Sequence, residues 1–566
     1  MRVSLSWLKE LVNCNLSPQE LADKLSLISI GIKNQTQDYL ELDLTYNRGD
    51  LLSMRGVARE VAAVTDSELL FSNLKPPTYP CLPETPVQVD NKSLCPVYCV
   101  AKIEGIKIKP SSDQWVKKLT DCGVRSVNNI ADVTNLIMLE YDQPMHAFDA
   151  SQVKDGMLIV RTAKQDEKIM TLDGKDRTLD ETDLLITDSE KALALAGVMG
   201  GKNSEVTEKT TTILLEAAIF DPVFNRKSSK KHGLYSEATK RFQHGLTKTN
   251  LLQALSAAIK MYEGLGGKLT AITFTGNLQD QVKTIQLTRQ KINSLIGVDI
   301  PPEEAESSLK KLGFRLEAKH LEGEKMRLHL RGGMVWNVTV PYWRLDISIE
   351  EDLVEEVARM YGYEKIPPKT LEGNLPEKID QSFPNFIYDL KKSLKEAGLT
   401  EVQTYSFYST GVLNNLDRDK NNLVKIANPI SSETEYLRDN LWPNLLEVAA
   451  KNIRNGIKDI AIFELGKIYT PQKGDLPHEN YHLAIALCND TDNPIQELNQ
   501  IFQQAQKHLR GEKMQLHLGG GKSREYFHPT RYTDGMAEIH PRFVNKFGID
   551  QRVAVLEIEL NPLTRP

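Results

Sequence analysis

The sequence contains no apolar run approaching the roughly 18 residues that a transmembrane helix needs, and Arg2 is not followed by the apolar core of an export signal. A membrane-spanning helix is therefore not expected, and the expected setting is the cytoplasm. Cysteine is scarce: Cys14, Cys81, Cys95, Cys99, Cys122 and Cys488 are scattered, and only Cys95 and Cys99 lie close together. Without a second pair or neighbouring histidines they do not read as a zinc site, and reduced structural thiols are expected. An excess of charge of one sign is also lacking, with a net charge of only −6. This excludes a global basic field, so contact with nucleic acid must come from local patches. No glycine-rich Walker loop is present, and no residue is assigned to ATP.

What is present is an ordinary globular composition, 40% hydrophobic and 26% charged, over 566 residues. That length suggests roughly four domains. The chain is organised around PYWRLDISIEEDLVEEVARMYGY, residues 341 to 363. Val338, Val340 and Tyr342 alternate with Asn337, Thr339 and Pro341 as in a half-buried strand, and Leu353, Val357 and Met360 then recur at helical spacing. Asp352, Glu355 and Glu356 fall on neighbouring turns of one helix face, and Asp346 enters from the strand end. Four such carboxylates suit a hard cation such as magnesium. Acids in a first helical turn are equally favoured by the exposed N–H groups and the helix dipole, and spacing alone favours that reading.

Ser17-Pro18-Gln19-Glu20 is a capping box with proline at the first helical position, so a helix is expected to about Leu27. Leu40, Leu42 and Leu44 alternate as a strand, and Asn47-Arg48-Gly49-Asp50 turns into a helix carrying Val57, Val61 and Val64. Prolines 76, 77, 80, 83 and 86 make a stiff linker. The largest domain follows, mostly strands, with helices near 113 to 122 and 249 to 264. Within it, Ala196, Gly197, Gly200 and Gly201 remove bulk and let a ligand approach the backbone. Glu216, after Ile213-Leu214-Leu215 and before Ala217-Ala218, reads as a partly buried acceptor. From Asn225 to His244, Arg226, Lys227, Lys230, Lys231, Lys240 and Arg241 face a single acid, Glu237. That patch can follow a phosphate backbone, although a solvated basic loop is the commoner explanation. A helix from Pro302 to Leu312, closed by Gly313, leads to strands near 314 to 317, 326 to 331 and 335 to 342. After a polar linker at 369 to 382, Phe386, Leu390, Leu394 and Leu399 place a helix before the strand VQTYSFYS. Leu437, Leu441, Trp442, Leu445 and Leu446 suit either a core or an interface.

Several long motifs, in order, carry a resemblance: LDLTYNRGDLLSMRGVAREVAAV, VRSVNNIADVTNLIMLEYDQPMHAFD, ALAGVMGG, LLEAAIFDP, GLYSEATKRFQHG, the acidic segment at 341 to 363, and IANPISSETEYLRDNLWPNLLEVAAKNIRNG. Together they resemble the β chain of bacterial phenylalanyl-tRNA synthetases. The resemblance implies an α+β multidomain fold: an N-terminal domain at 1–75, a linker at 76–89, an editing domain at 90–280, a small helix-plus-ribbon domain at 281–368 and a class II synthetase-like antiparallel sheet domain at 369–566. Only ten residues separate Ile30 from Glu41, where the family has an inserted OB tRNA-binding module, and the resemblance leads us to expect a form without that module and without the family's C-terminal anticodon-binding module.

The resemblance further implies that Glu216 and His146 serve an editing site, Glu216 recognising the phenolic hydroxyl of tyrosine wrongly attached to tRNA and His146 positioning the tRNA end or the attacking water. Ala196, Gly197, Gly200, Ser236 and Ala238 would bind substrate, and Asp346, Asp352, Glu355 and Glu356 would hold magnesium. An α subunit is the implied partner, two of each chain, with ATP used at the α site and tRNA as shared substrate. Arg438 occupies a motif-two-like position in a copy that the family does not use for aminoacylation. The chain departs from the family at Ser236, where threonine is usual, and at Gln243-His244, where Glu-Arg is usual. A free-standing deacylase of mischarged tRNA, or a non-enzymatic RNA-binding relative, are the alternatives.

Overall fold

The structure is a computed structural model that describes residues 1–71, 82–320, 334–370, 372–374, 379–508, 527–533 and 536–560. The prolines at 76, 77 and 80, Cys81 and the strand expected at 326 to 331 lie outside the described residues. The chain forms two compact units, Met1–Thr370 and Leu371–Pro566, an α+β architecture in several sheets.

The first unit opens with β1 (Arg2–Ser4), α1 (Leu5–Leu11), α2 (Pro18–Leu27), β2 (Gly31–Gln35), β3 (Tyr39–Asp43) and α3 (Met54–Thr65), the strands pairing in the order β1-β3-β2. Ser17 and Glu20 close the expected capping box on α2. The turn after Asn47 becomes a short 3-10 helix, Gly49–Leu52, before Ser53 caps α3 by accepting from the Gly56 N–H.

Next come β4 (Val87–Val89), β5 (Val97–Glu104), α4 (Asp113–Asp121), α5 (Asn129–Tyr141), β6 (Met145–Asp149), β7 (Leu158–Thr162), β8 (Lys168–Met170), β9 (Asp176–Thr178), β10 (Leu184–Thr187), β11 (Ala192–Leu195), β12 (Met199–Gly200), β13 (Thr212–Ile219), α6 (Pro222–His232), α7 (Glu237–His244), α8 (Lys248–Gly264) and β14 (Lys268–Gly276). They build a four-stranded sheet, β14-β5-β13-β6, and a five-stranded one, β12-β11-β10-β7-β4. The period of two along β13 decides the site. Ile213, Leu215 and Ala217 pack with the apolar faces of α5 and α8, whereas Leu214 and Ala218 join Tyr98, Val100 and Phe148 in a core shared with Val160, Ile186 and Leu193 of the second sheet. Glu216 falls in the second register, so its side chain enters an apolar layer between two sheets. Helices α5, α6 and α7 were not expected, and neither was β4, at the end of the proline-rich stretch.

The first unit ends with β15 (Lys283–Thr288), α9 (Arg289–Ile296), α10 (Pro302–Lys311), β16 (Arg315–His320), β17 (Met334–Val340) and α11 (Glu350–Tyr361), the strands ordered β15-β17-β16. Leu353, Val354 and Val357 of α11 pack with Trp336 and Val338 of β17, as the apolar spacing requires.

In the second unit, strands Thr400–Glu401, Ile460–Thr470, His478–Asn489, Arg552–Glu559, Met536–Ile539 and Phe527–Thr533 lie side by side in that order, antiparallel except for the first pair. Alternate residues separate its faces: Ile462, Ala484 and Val555 pack under helix Trp442–Arg454, and Phe463, Ile485 and Leu556 under helices Ser382–Glu396 and Pro494–His508. Leu441, Trp442, Leu445 and Leu446 are core residues, and only Leu437 is half-buried. Among the described residues no helix is long and apolar enough to cross a membrane.

Candidate functional site

A cavity of about 120 Å³ opens between the four-stranded sheet of β13 and the five-stranded sheet of β10. Glu216, His146, Gly197, Gly200 and Ala238 all line it, together with Met145, Ile186 and Phe242. Cross-strand pairing sets Glu216 opposite His146, with Val100 on the other side. Glu216 is 5% exposed, so it is buried rather than half-buried as expected. Burial alone pushes its carboxyl up to about 8, since no cation or donor offsets the loss of water. Burial likewise lowers the His146 imidazole to about 4. At neutral pH both groups are therefore uncharged, and Glu216 presents a donor O–H beside an acceptor oxygen.

The glycines have separate reasons. A Cβ on Gly200 would stand 2.6 Å from His146 Cε1, so any side chain there would displace the imidazole. Gly197 has φ +66°, and a Cβ there would meet Asn225 Nδ2 at 2.5 Å. Ala196 is buried in the layer behind the cavity and does not line it. Ser236 is not on the wall either: its hydroxyl accepts from the Thr239 N–H at 3.1 Å and caps α7, which carries Ala238. The departure from threonine therefore keeps its hydroxyl in a capping role. Gln243 and His244 line a different cavity.

The structure adds two residues to this neighbourhood. The Tyr98 hydroxyl and both amide atoms of Asn225 are buried without a hydrogen-bond partner, as is His146 Nε2. Orphaned groups of this kind are costly in a closed core and mark places where a ligand or water completes the network. Tyr98 lies on β5, a strand buried on both faces, so no alternation in the sequence marks the side it takes. Asn225 sits on α6, which was not expected.

Glu216 and His146 make folding pH-dependent in opposite senses. The Glu216 pKa rises from 4.5 to about 8 on folding, so its contribution to stability is complete below 4.5 and lost as the pH climbs towards 8. His146 falls from 6.5 to about 4, so its contribution is complete above 6.5 and lost on acidification. The two slopes oppose one another between 4.5 and 6.5, and only the Glu216 decline remains up to 8. Against Glu216→Gln, wild-type stability should fall by about 1.4 kcal/mol per pH unit near pH 6.5, the slope halving as the pH reaches 8. Urea unfolding of both chains at pH 6.5, 7.2 and 8 measures this, and parallel curves would contradict the assignment.

The acids expected around magnesium do not converge. Asp346 is held bidentately by Arg344 at 2.8 and 2.9 Å, and Glu356 by Arg344 at 2.5 Å and Arg359 at 2.6 Å. Asp352 accepts from the Ser348 and Ile349 N–H groups at 2.6 and 2.9 Å and so caps α11, while Glu355 is exposed. Among the described residues no three His, Cys, Asp or Glu side chains are grouped to hold a metal ion. A cation at Asp346 and Glu356 would have to displace fixed guanidinium groups, so in this arrangement the set does not fit magnesium. The same arginines continue the network, since Arg359 also binds Glu60 at 2.7 Å and Arg48 joins Glu60 to Asp50.

The basic run at 225 to 244 is also divided. Arg226, Lys227 and Lys230 are exposed, but Arg241 is fully buried, donating to the Leu52 carbonyl at 2.6 Å and to Glu237 at 2.7 Å, and is unavailable to a phosphate backbone. In the second unit Arg438 is buried against Glu464 at 2.8 Å and Thr404 at 2.9 Å, a structural role. Cys14, Cys95, Cys99, Cys122 and Cys488 are free and buried.

Three family models match the chain: the B3/4 domain at residues 94–267, the tRNA synthetase B5 domain at 285–363 and the phenylalanyl tRNA synthetase beta chain CLM domain at 366–560. A chain built from these parts is a component of an aminoacyl-tRNA synthetase. The phenylalanine–tRNA ligase beta subunit of Geobacter metallireducens is 33% identical over 564 residues, covering 94% of this chain and 68% of that one. That of Bacillus cereus is 37% identical over 463 residues, covering 81% of this chain and 56% of that one. The chain belongs to the family of phenylalanine–tRNA ligase beta subunits, and it spans between about half and two thirds of the length of these relatives. An N-terminal fragment of the Pyrococcus horikoshii phenylalanyl-tRNA synthetase beta subunit is similar over 64% of this chain and 99% of that one at 18% identity, with a TM-score of 0.35.

Proposed function

We propose that this chain works in the cytoplasm with an α subunit, two of each, in attaching phenylalanine to its tRNA, and that the cavity around Glu216 hydrolyses tyrosyl-tRNA formed in error. ATP and magnesium would be used at the α site, and the arginine-bound acids of α11 have no part in that step. The observation that carries the editing reading is the Glu216 carboxyl buried in an apolar layer opposite His146, on the wall of one cavity, where burial favours the uncharged form of both.

A tyrosine phenol can donate to the carboxyl oxygen and accept from its O–H, whereas phenylalanine leaves both unpaired. With an imidazole pKa of about 4, His146 is too weak a base to take a full proton at pH 7, and its role is to hold the attacking water or the terminal ribose through Nε2. The water oxygen bonds to the acyl carbon, the bond from that carbon to the ribose oxygen breaks, and the proton ends on the ribose oxygen. Tyrosine and uncharged tRNA leave.

The test is co-expression with a phenylalanyl α subunit, followed by size-exclusion chromatography, ATP-dependent charging and a tyrosyl-tRNA hydrolysis assay. Co-elution with charging and hydrolysis is the expected result. Hydrolysis by the chain alone without association would make it a free-standing deacylase, and neither activity would leave an RNA-binding relative.

A further inference from the structure

We propose that a second cavity, of about 240 Å³ and lined by residues of the N-terminal segment, α7 and the turn after β17, is a binding site for a small oxyanion, phosphate or carboxylate, held by Arg59. It is separate from the Glu216 cavity, with which it shares no lining residue.

Arg59 projects from α3 with its guanidinium carbon 4.1 Å from the centre of a Trp343 ring and 5.7 Å from that of Phe71. Every neighbouring arginine has a carboxylate: Arg48 has Asp50 and Glu60, Arg55 has Glu140, Arg241 has Glu237, and Arg344 has Asp346. Among the described residues Arg59 has none within ion-pair distance. The Tyr342 hydroxyl is a polar contact, and the Asp50 charge acts only at longer range. Arg59 is half-buried, and a guanidinium keeps its proton there, so it can take an anion, whose carboxylate or phosphate oxygens its planar fork matches.

Three further features favour an anion here. The Thr247 hydroxyl, on the same wall, is buried with no partner and is free to donate. The lining acids Asp50 and Asp346 are each fully engaged by an arginine, and Asp142 is paired with Arg241 Nε at 3.3 Å, so each lining carboxylate has a cation beside it. Trp343, and Tyr46 tilted against His244 at the rim, give aromatic walls to a planar body carrying the oxyanion. His244 and Gln243, where the chain departs from its family, belong to this cavity.

The full chain should bind phenyl phosphate saturably, more tightly than inorganic phosphate, by calorimetry. Arg59→Gln should weaken binding about tenfold or more, and Thr247→Val severalfold, with thermal midpoints recorded for both. If Arg59→Gln fails to fold, Thr247→Val carries the test. Equal affinity in wild type and a folded variant, or no saturation at millimolar phenyl phosphate, would overturn the site. Competition separates the sources: displacement by tRNA makes the oxyanion an RNA phosphate, and binding that tRNA leaves intact makes it a free small molecule.

Discussion

Glu216→Ala should hydrolyse tyrosyl-tRNA and phenylalanyl-tRNA at nearly equal rates, with the preference for tyrosyl-tRNA falling by a factor on the order of a hundred or more. Discrimination of this size needs a polar group that pays when its partner is missing. The Glu216 carboxyl, uncharged at neutral pH and buried in an apolar layer, is such a group. Alanine leaves a cavity that takes either ring, with nothing to leave unpaired. Most of the effect should fall on kcat/KM for tyrosyl-tRNA. Glu216→Gln, which keeps a donor and an acceptor, should retain part of the preference. Single-turnover hydrolysis of both substrates measures this, and an unaltered ratio in the alanine variant would remove Glu216 from recognition.

Much of this site was legible because it depends on local pattern. An acid inside an apolar run and a cluster of glycines stand out by themselves, His146 enters only through the family resemblance, and the period of two brings Glu216 and His146 to one face once β13 and β6 pair. The capping box at Ser17 and the helix at Pro302 were legible for the same reason. What escaped lacks periodicity or depends on distant residues. Helix α5 is buried almost all round, so no polar face marks it. Helix α6 is mostly polar, and its remaining signals, an Asp221 cap, Pro222 and Gly233 with φ +63°, are punctuation only. Arg241 reads as part of a solvated basic run because its Leu52 partner lies 189 residues away. The acids at 346 and 356 were half legible: Arg344 and Arg359 stand two and three residues from them in the same segment, but Glu60, which completes the network, is 299 residues from Arg359.

That network yields the largest expected change in stability. Asp50, Arg48, Glu60, Arg359, Glu356, Arg344 and Asp346 alternate in sign along one chain of contacts, and none of these side chains is more than 9% exposed. Burial disfavours every charge in it, yet the arginines outweigh burial and hold the Glu356 and Glu60 carboxyls below the usual range. Their contribution is therefore complete above about pH 4.5 and lost as the pH falls through the folded values. Arg359 is the central link, joining α11 to α3. Arg359→Met should cost about 3–5 kcal/mol, because two buried carboxylates each lose a partner. Hydrogen exchange should rise by about two to four orders of magnitude in peptides covering residues 54–65 and 350–361. Adding Glu60→Gln and Glu356→Gln should recover part of the loss, since the charges left unpaired are then removed. Magnesium provides the discriminating control: restored protection in the Arg359→Met chain at millimolar magnesium would make these carboxylates ligands of a divalent cation. No restoration would leave the arginines as their partners, and the acids of this segment as the pins that join α11 to α3.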